Sequence, residues 1–292
     1  MRRKSGSGMH RAGNQIDLKV LLDTPPWDWP RDAGQRFHQI LTDSKARESD
    51  RLIAAELAGD FTVIDDALSA DLLAIVSSAG EPEKLRAKAA ISFGAILDHA
   101  DTSDFDEFDD VSITEDTFHR IQDALHEIFV DDSAPVLVRR RVLEASVRAP
   151  EDWHRDAISH AWSSGDRDWV LTAVFAMRYV RGFDDQILEA LKSSDPDIQC
   201  EAVHAAGNWG LDGAWDHIAG LVDDSATPKP LLLAAIGAVA EIRPHEAREM
   251  LVDLQESDDE EIAEEAEEAL LMAFADEGGD EEDDEEDDDW IN

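Results

Sequence analysis

The chain has 292 residues, 43% of them hydrophobic and 32% charged, and its 26 basic and 68 acidic side chains give a formal net charge of −42. The apolar content suffices to offset the entropy of ordering, so most of the chain is expected to fold, while the negative field repels phosphate backbones and anionic bilayers. No apolar run approaches the roughly 20 residues of a membrane span, and Cys200, the one cysteine, cannot form an internal disulfide, which fits a reducing compartment.

Residues 1–22 begin Met1-Arg2-Arg3-Lys4 without an apolar signal core, so they read as a disordered tail on a cytoplasmic protein. Trp27 and Trp29 in PPWDWP then stand where they would cap the end of a helical array. From there to Ala275, apolar stripes at helical spacing recur in pairs. The first members carry Phe37, Ile40 and Leu41; Leu68, Leu72, Leu73 and Val76; Phe118, Ile121, Leu125 and Ile128; Ile187, Leu188 and Leu191; Ile218 and Leu221; and Met250, Leu251 and Leu254.

The second members share a sharper pattern: an anchor, a small residue four positions on, a small or apolar residue at seven or eight, and often Gly at nine. Ile198, Ala202, Ala205, Ala206 and Gly207 are the clearest copy, and Leu85, Ala89, Ser92, Phe93 and Gly94 another. Anchors fall at Asp50, Leu85, Val138, Trp169, Ile198, Leu231 and Ile262, and five of the six intervals agree on one period. Positions 0, 4, 7 and 8 lie on one helix face, and small residues there let one helix approach the next closely. Connectors such as SSDPDIQ and DDSATPKP supply Ser, Asp and Pro as turns and caps. No segment alternates with period two between hairpin turns, so no sheet is expected. The reading is all-α, an α-α superhelix of about seven helical hairpins over residues 23–275. An acidic loop is inserted at 98–117, and a disordered acidic tail occupies 276–292, where twelve acidic side chains have no basic one among them.

The unit in SSDPDIQCEAVHAAGNWG, with its Asp-Pro turn, apolar anchor and Ala-Ala-Gly close, resembles the short bacterial HEAT repeat, including the kind found in phycobilisome-lyase-like proteins. The resemblance covers about residues 30–275 and implies the fold. Its known activities are diverse: scaffolds, lyase subunits, a metal-dependent hydroxylase and glycosylase-like members.

Catalytic readings are weaker than structural ones. The inserted loop's Asp104, Asp106, Asp109 and Asp110 lack the oxygen ligand and Gly of a calcium loop, since Phe108 and Asp109 stand at those positions. The hydroxylase branch places His-Glu pairs just before the first Ala of several second helices. Here those places hold Cys200-Glu201, Ala87-Lys88, Arg140-Arg141 and Glu264-Glu265, while His126-Glu127 and His245-Glu246 fall elsewhere. Cys200 and His204 share a helix face, which is the least geometry an activated thiolate needs, but a lone cysteine in a packed repeat reads first as a small hydrophobe. Trp153, Trp162, Trp169, Trp209 and Trp215 are expected to pack between repeats. No catalytic, cofactor or metal residue is assigned.

Against the acidic trend, second helices carry Arg86, Lys88, Arg139, Arg140, Arg141, Arg148, Arg178 and Arg181. The resemblance implies that second helices line a concave face, so these side chains form either a basic stripe in a groove or ordinary pairs with nearby carboxylates. The expected function is a non-enzymatic protein-interaction scaffold that holds an acidic partner segment, or its own acidic tail, on that face. Nucleic acid and membrane are not expected partners. The alternative is an enzyme or enzyme subunit on the same scaffold, either glycosylase-like and binding nucleic acid or bilin-lyase-like.

Overall fold

The computed structural model describes residues 17–103, 105 and 111–275; Asp104, Asp106, Asp109 and Asp110 of the calcium reading, residues 1–16 and the acidic tail 276–292 lie outside the described residues. Two compact units, Met1–Ala149 and Pro150–Asn292, divide the chain. In each, the described residues form helices and turns with no β-strand.

In the first unit a short helix, α1 (Leu18–Leu22), precedes three hairpins: α2 (Ala33–Thr42) with α3 (Glu48–Ala58), α4 (Asp66–Ser77) with α5 (Glu83–Ile91), and α7 (Glu115–Val130) with α8 (Val136–Ser146). First helices pack on first helices, and α3, α5 and α8 pack in succession. The second unit repeats this with four hairpins: α9 (Asp152–Ser163) and α10 (Arg167–Ala176), α11 (Asp184–Ala190) and α12 (Pro196–Asn208), α13 (Trp215–Asp223) and α14 (Lys229–Ile242), and α15 (Pro244–Leu254) and α16 (Glu260–Ala275). Every sequence anchor falls in a second helix. Each unit is thus a stack of helical hairpins, the layer arrangement of an α-solenoid.

Several boundaries differ from expectation. Leu18 and Leu21, assigned to the N-terminal tail, are buried in α1, because a pair of leucines one turn apart gains more by packing on α3 than by remaining in water. Asp98–Thr102, assigned to the inserted loop, extends α6 (Gly94–Thr102), and Glu115–Thr117 begins α7 with Thr114 as its cap. α9 has no long apolar stripe to announce it; only His154, Ala157, Ile158 and Ala161 are buried on it. Trp29 caps the array's end as expected, edge-on to Phe37 at 5.8 Å with its indole N–H donating to the Thr24 carbonyl at 2.8 Å. Trp27 does not: it is 80% exposed.

The connectors work in two ways. Asp43, Asp131 and Asp224 each end a first helix and accept the backbone N–H two residues on, at 2.9 Å in all three cases, which forms an Asx-turn. Asp166 and Asp195 instead cap the following helix by accepting its first free N–H groups. A basic residue at the start of one second helix then reaches the cap of the next. Arg167 donates to Asp195 at 2.7 Å, and Lys229 to Asp259 at 2.7 Å. The Arg167 guanidinium holds the Asp195 carboxyl below the usual carboxylate range, and the Lys229 ammonium does the same for Asp259.

Close packing between second helices depends on the position-nine glycines. A Cβ on Gly59 would fall 2.3 Å from the Ser92 carbonyl oxygen, and one on Gly207 would fall 3.0 Å from the Ala238 Cα. In both cases the obstacle is backbone, at position seven of the next repeat. Gly207→Ala is therefore expected to destabilise the second unit by about 1–3 kcal/mol through overpacking. Gly220→Ala, inside α13 with nothing within 4 Å of the new Cβ, is expected to stabilise it by about 0.5–1 kcal/mol through helix propensity. Urea titration followed by circular dichroism measures both.

The depressed carboxyls of Asp195 and Asp259 fix a pH dependence. Their folded values lie below the unfolded ones, so the stabilisation is complete above about pH 4 and is lost as pH falls through the folded values. Arg167→Gln is expected to remove part of this acid limb, read as a smaller drop in urea midpoint between neutral and acid pH than wild type shows.

Candidate functional site

The eight cations singled out in the sequence do not act alike. Arg86 is buried, and its Nε donates to the Val76 carbonyl at 2.8 Å; the Nε of Arg139 donates to the Phe129 carbonyl at 2.8 Å. Arg51 does the same for Leu41 at 3.0 Å, and the Gln199 amide for Leu191 at 3.1 Å. All four sit one position after an anchor, and all four acceptors lie in the last turn or C-cap of the preceding first helix. The carbonyls there have no partner within the helix and carry the negative end of its dipole. These side chains lock each hairpin's two helices together. Their charge serves the fold and is spent on a backbone acceptor.

Arg140 is buried 3.9 Å from Glu144, which also accepts a hydrogen bond from Arg141. Lys88 pairs with Glu56 at 3.1 Å, bridging α5 and α3. Arg148 packs against the start of α6, where a Cβ on Gly94 would fall 2.9 Å from its Nε. In the second unit Arg178 lies 3.6 Å from Glu201 and under Phe175, and Arg181 stacks 4.3 Å over Trp209. Trp209 itself donates to the Met177 carbonyl of the previous repeat at 2.7 Å, the inter-repeat role expected of it. Arg139, Arg140 and Arg141 are consecutive, so they point to different sides of α8 and cannot form one patch.

The signal that sequence reasoning missed is a register. Positions −1, 3 and 6 from each anchor lie along one side of the second helix, position 10 falls on that side or past the helix end, and these residues are, with few exceptions, half-buried or exposed. In the first unit this side holds Ser49, Ile53, Glu56 and Asp60; Lys84, Lys88, Ile91 and Ala95; and Leu137, Arg141, Glu144 and Arg148. In the second unit its carboxylates are Asp168, Asp197, Glu201, Glu241, Glu261, Glu265 and Glu268, and it holds no Lys or Arg. The same structural face is thus cationic on two neighbouring helices, α5 and α8, and anionic on α10, α12, α14 and α16.

Cys200 and His204 are both shifted by burial. Burial pushes the Cys200 thiol up and the Glu201 charge adds to this, the opposite of what an activated thiolate needs. Burial, with the Arg178 charge behind it, lowers His204. Among the described residues no group of three His, Cys, Asp or Glu side chains is placed to hold a metal ion, and no helix is long and apolar enough to cross a membrane.

The paired helices, with second helix packed on second helix through each unit, define an α-helical repeat protein. Residues 185–271 match the family model described as HEAT repeats. Among solved structures, human deoxyhypusine hydroxylase in complex with glycerol is similar at 13% identity, over 83% of this chain and 96% of that one, with a TM-score of 0.35. Two engineered proteins are similar at 18% identity: one over 85% of this chain and 82% of its own with a TM-score of 0.37, the other over 84% and 98% with 0.31. No curated protein sequence matches the chain.

The carbonyl contacts predict which cations are structural. Arg86→Met is expected to destabilise the first unit by about 1–3 kcal/mol, because it leaves the Val76 carbonyl without its donor. Lys84→Ala, on an exposed side chain of the same helix, is expected to stay within about 0.5 kcal/mol. Thermal and urea unfolding of the two variants separate the roles.

Proposed function

We propose that the protein is a non-catalytic interaction scaffold whose residues 1–149 hold an acidic partner segment on the second-helix face, through Lys84, Lys88, Arg141 and Arg148. The observation that supports this most is the concentration of Lys84, Lys88 and Arg141 on the outward register of two adjacent helices, with Arg148 in the turn after α8, in a chain of net charge −42. A local positive patch in a negative field focuses attraction on acidic segments, which the rest of the protein's surface repels. Arg86, Arg139 and Arg140 belong to the hairpins' interior and are left out of the binding set. Isoleucine and leucine at Ile53, Ile91 and Leu137 supply apolar area among the charges, as segment-binding faces require.

The test uses the full chain and a fluorescein-labelled synthetic peptide of residues 276–292 as the acidic probe. Lys84→Glu with Lys88→Glu and Arg141→Glu is expected to weaken binding by at least about tenfold, with helicity unchanged by circular dichroism. Binding should also fall steeply with added salt. Unchanged affinity in the triple variant overturns the proposal.

A further inference from the structure

The anionic face of the second unit contains a groove of about 150 Å³ that runs along α14 between α12 and α16. Its floor is made of small residues, Gly207, Ala234, Gly237 and Ala238. Leu233 and Met272 stand at its sides, and Met272 is 44% exposed although it is a large apolar side chain. Glu241 and Glu265 bring carboxylates to the same groove. Glu265 Oε1 lies 3.5 Å from where a Cβ of Gly237 would sit, so this carboxylate reaches over the floor.

Four of the seven carboxylates on this face have a cation beside them. Asp168 and Asp197 pair with Arg167, Glu201 with Arg178, and Glu261 with Lys229. Glu241, Glu265 and Glu268 have no such cation among the described residues, and of the three Glu241 and Glu265 line the groove. Burial pushes the Glu265 carboxyl up, and the neighbouring Glu268 charge adds to it, as for a carboxylate that is desolvated without compensation. The pair in the groove stands without a counter-charge beside exposed apolar surface.

We propose that this groove binds a lysine- or arginine-bearing linear segment of a partner protein, its cation set on Glu241 and Glu265 and an adjacent apolar side chain on Leu233 and Met272. The site goes beyond the acidic-segment face of residues 1–149 and has the opposite charge preference. A cation supplies the missing counter-charge, and its aliphatic stem lies on the small-residue floor, where a bulkier floor would leave no room. Apolar contact from the next side chain covers Met272 and adds the desolvated area that makes a charge pair count.

The probe is a fluorescein-labelled peptide of alternating lysine and leucine, titrated against the full chain by fluorescence anisotropy. Glu241→Gln with Glu265→Gln is expected to weaken binding by about tenfold. Gly237→Leu, which fills the groove from a helix interior, is expected to do the same while raising the melting temperature or leaving it unchanged. The control is Glu249→Gln with Asp253→Asn, the same charge change on exposed positions of α15, and it is expected to leave affinity within about twofold. Equal losses in the two double variants show attraction by the overall field alone and overturn the proposal, as does unaltered binding in both groove variants. If a peptide of residues 1–16, which carries Arg2, Arg3, Lys4 and Arg11 and no acidic side chain, displaces the probe with higher affinity than the probe's own, the occupant is another copy of this chain and the partner reading falls.

Discussion

The close approach of successive second helices is the constraint on which the rest of each unit depends. Ala54, Ala89, Ala173, Ala202, Ala235 and Ala266 occupy the fourth position after their anchors and are completely or almost completely buried, and glycine replaces side chain where even a methyl would meet backbone. Helices that pack through alanine and glycine approach until backbones nearly touch, and dispersion at that distance is worth more per contact than at longer range. The first helices, with Leu, Ile and Phe on their inner sides, fill the wider space on the other side of the stack. A single repeat has too little apolar area to stand alone, and each gains stability from the repeats it touches.

Close packing creates a second requirement, because it buries the ends of first helices whose carbonyls have no intrahelical partner. The guanidinium one position past the anchor meets it at Arg51, Arg86 and Arg139, and an amide does so at Gln199. Arginine suits the task because its fork leaves further N–H groups free. Arg51 uses them to hold Glu81 of the next hairpin, and Arg139 to hold Asp132. The scarce cations of a very acidic chain are therefore placed first where a buried carbonyl or a neighbouring cap needs them. Lys84, Lys88, Arg141 and Arg148, which make none of these carbonyl contacts in the hydrogen bonds described above, lie on the outward side.

The polarity of that side divides along the chain. The same register of the second helices is cationic on α5 and α8 and anionic on α10, α12, α14 and α16, although the packing positions four and seven are alike throughout. Packing and recognition thus use separate faces of the same helices, so the outward residues can vary without disturbing the inward ones. HEAT repeats in the matched region, residues 185–271, carry the anionic part of this face and the groove beside α14.

How much of this was legible in the sequence follows from the range of the forces involved. The anchors, the small residues and the capping Ser, Asp and Pro act within a few residues of one another, so period and composition by themselves determined an all-α chain of seven hairpins and located every second helix. α9 and α6 escaped because their burial comes from neighbours and not from a strong stripe of their own. The roles of the cations were decided only by tertiary structure. Arg86, Arg139 and Lys88 look equivalent in a string, yet a rotation of 100° per residue sends one to a carbonyl ten residues back, another to the equivalent carbonyl in its own hairpin, and the third to a carboxylate on the adjacent helix. Glu265 is likewise one carboxylate among many in the sequence. It becomes distinctive because folding brings it over Gly237 and leaves it without a cation, a fact set by the approach of two helices that no local pattern encodes.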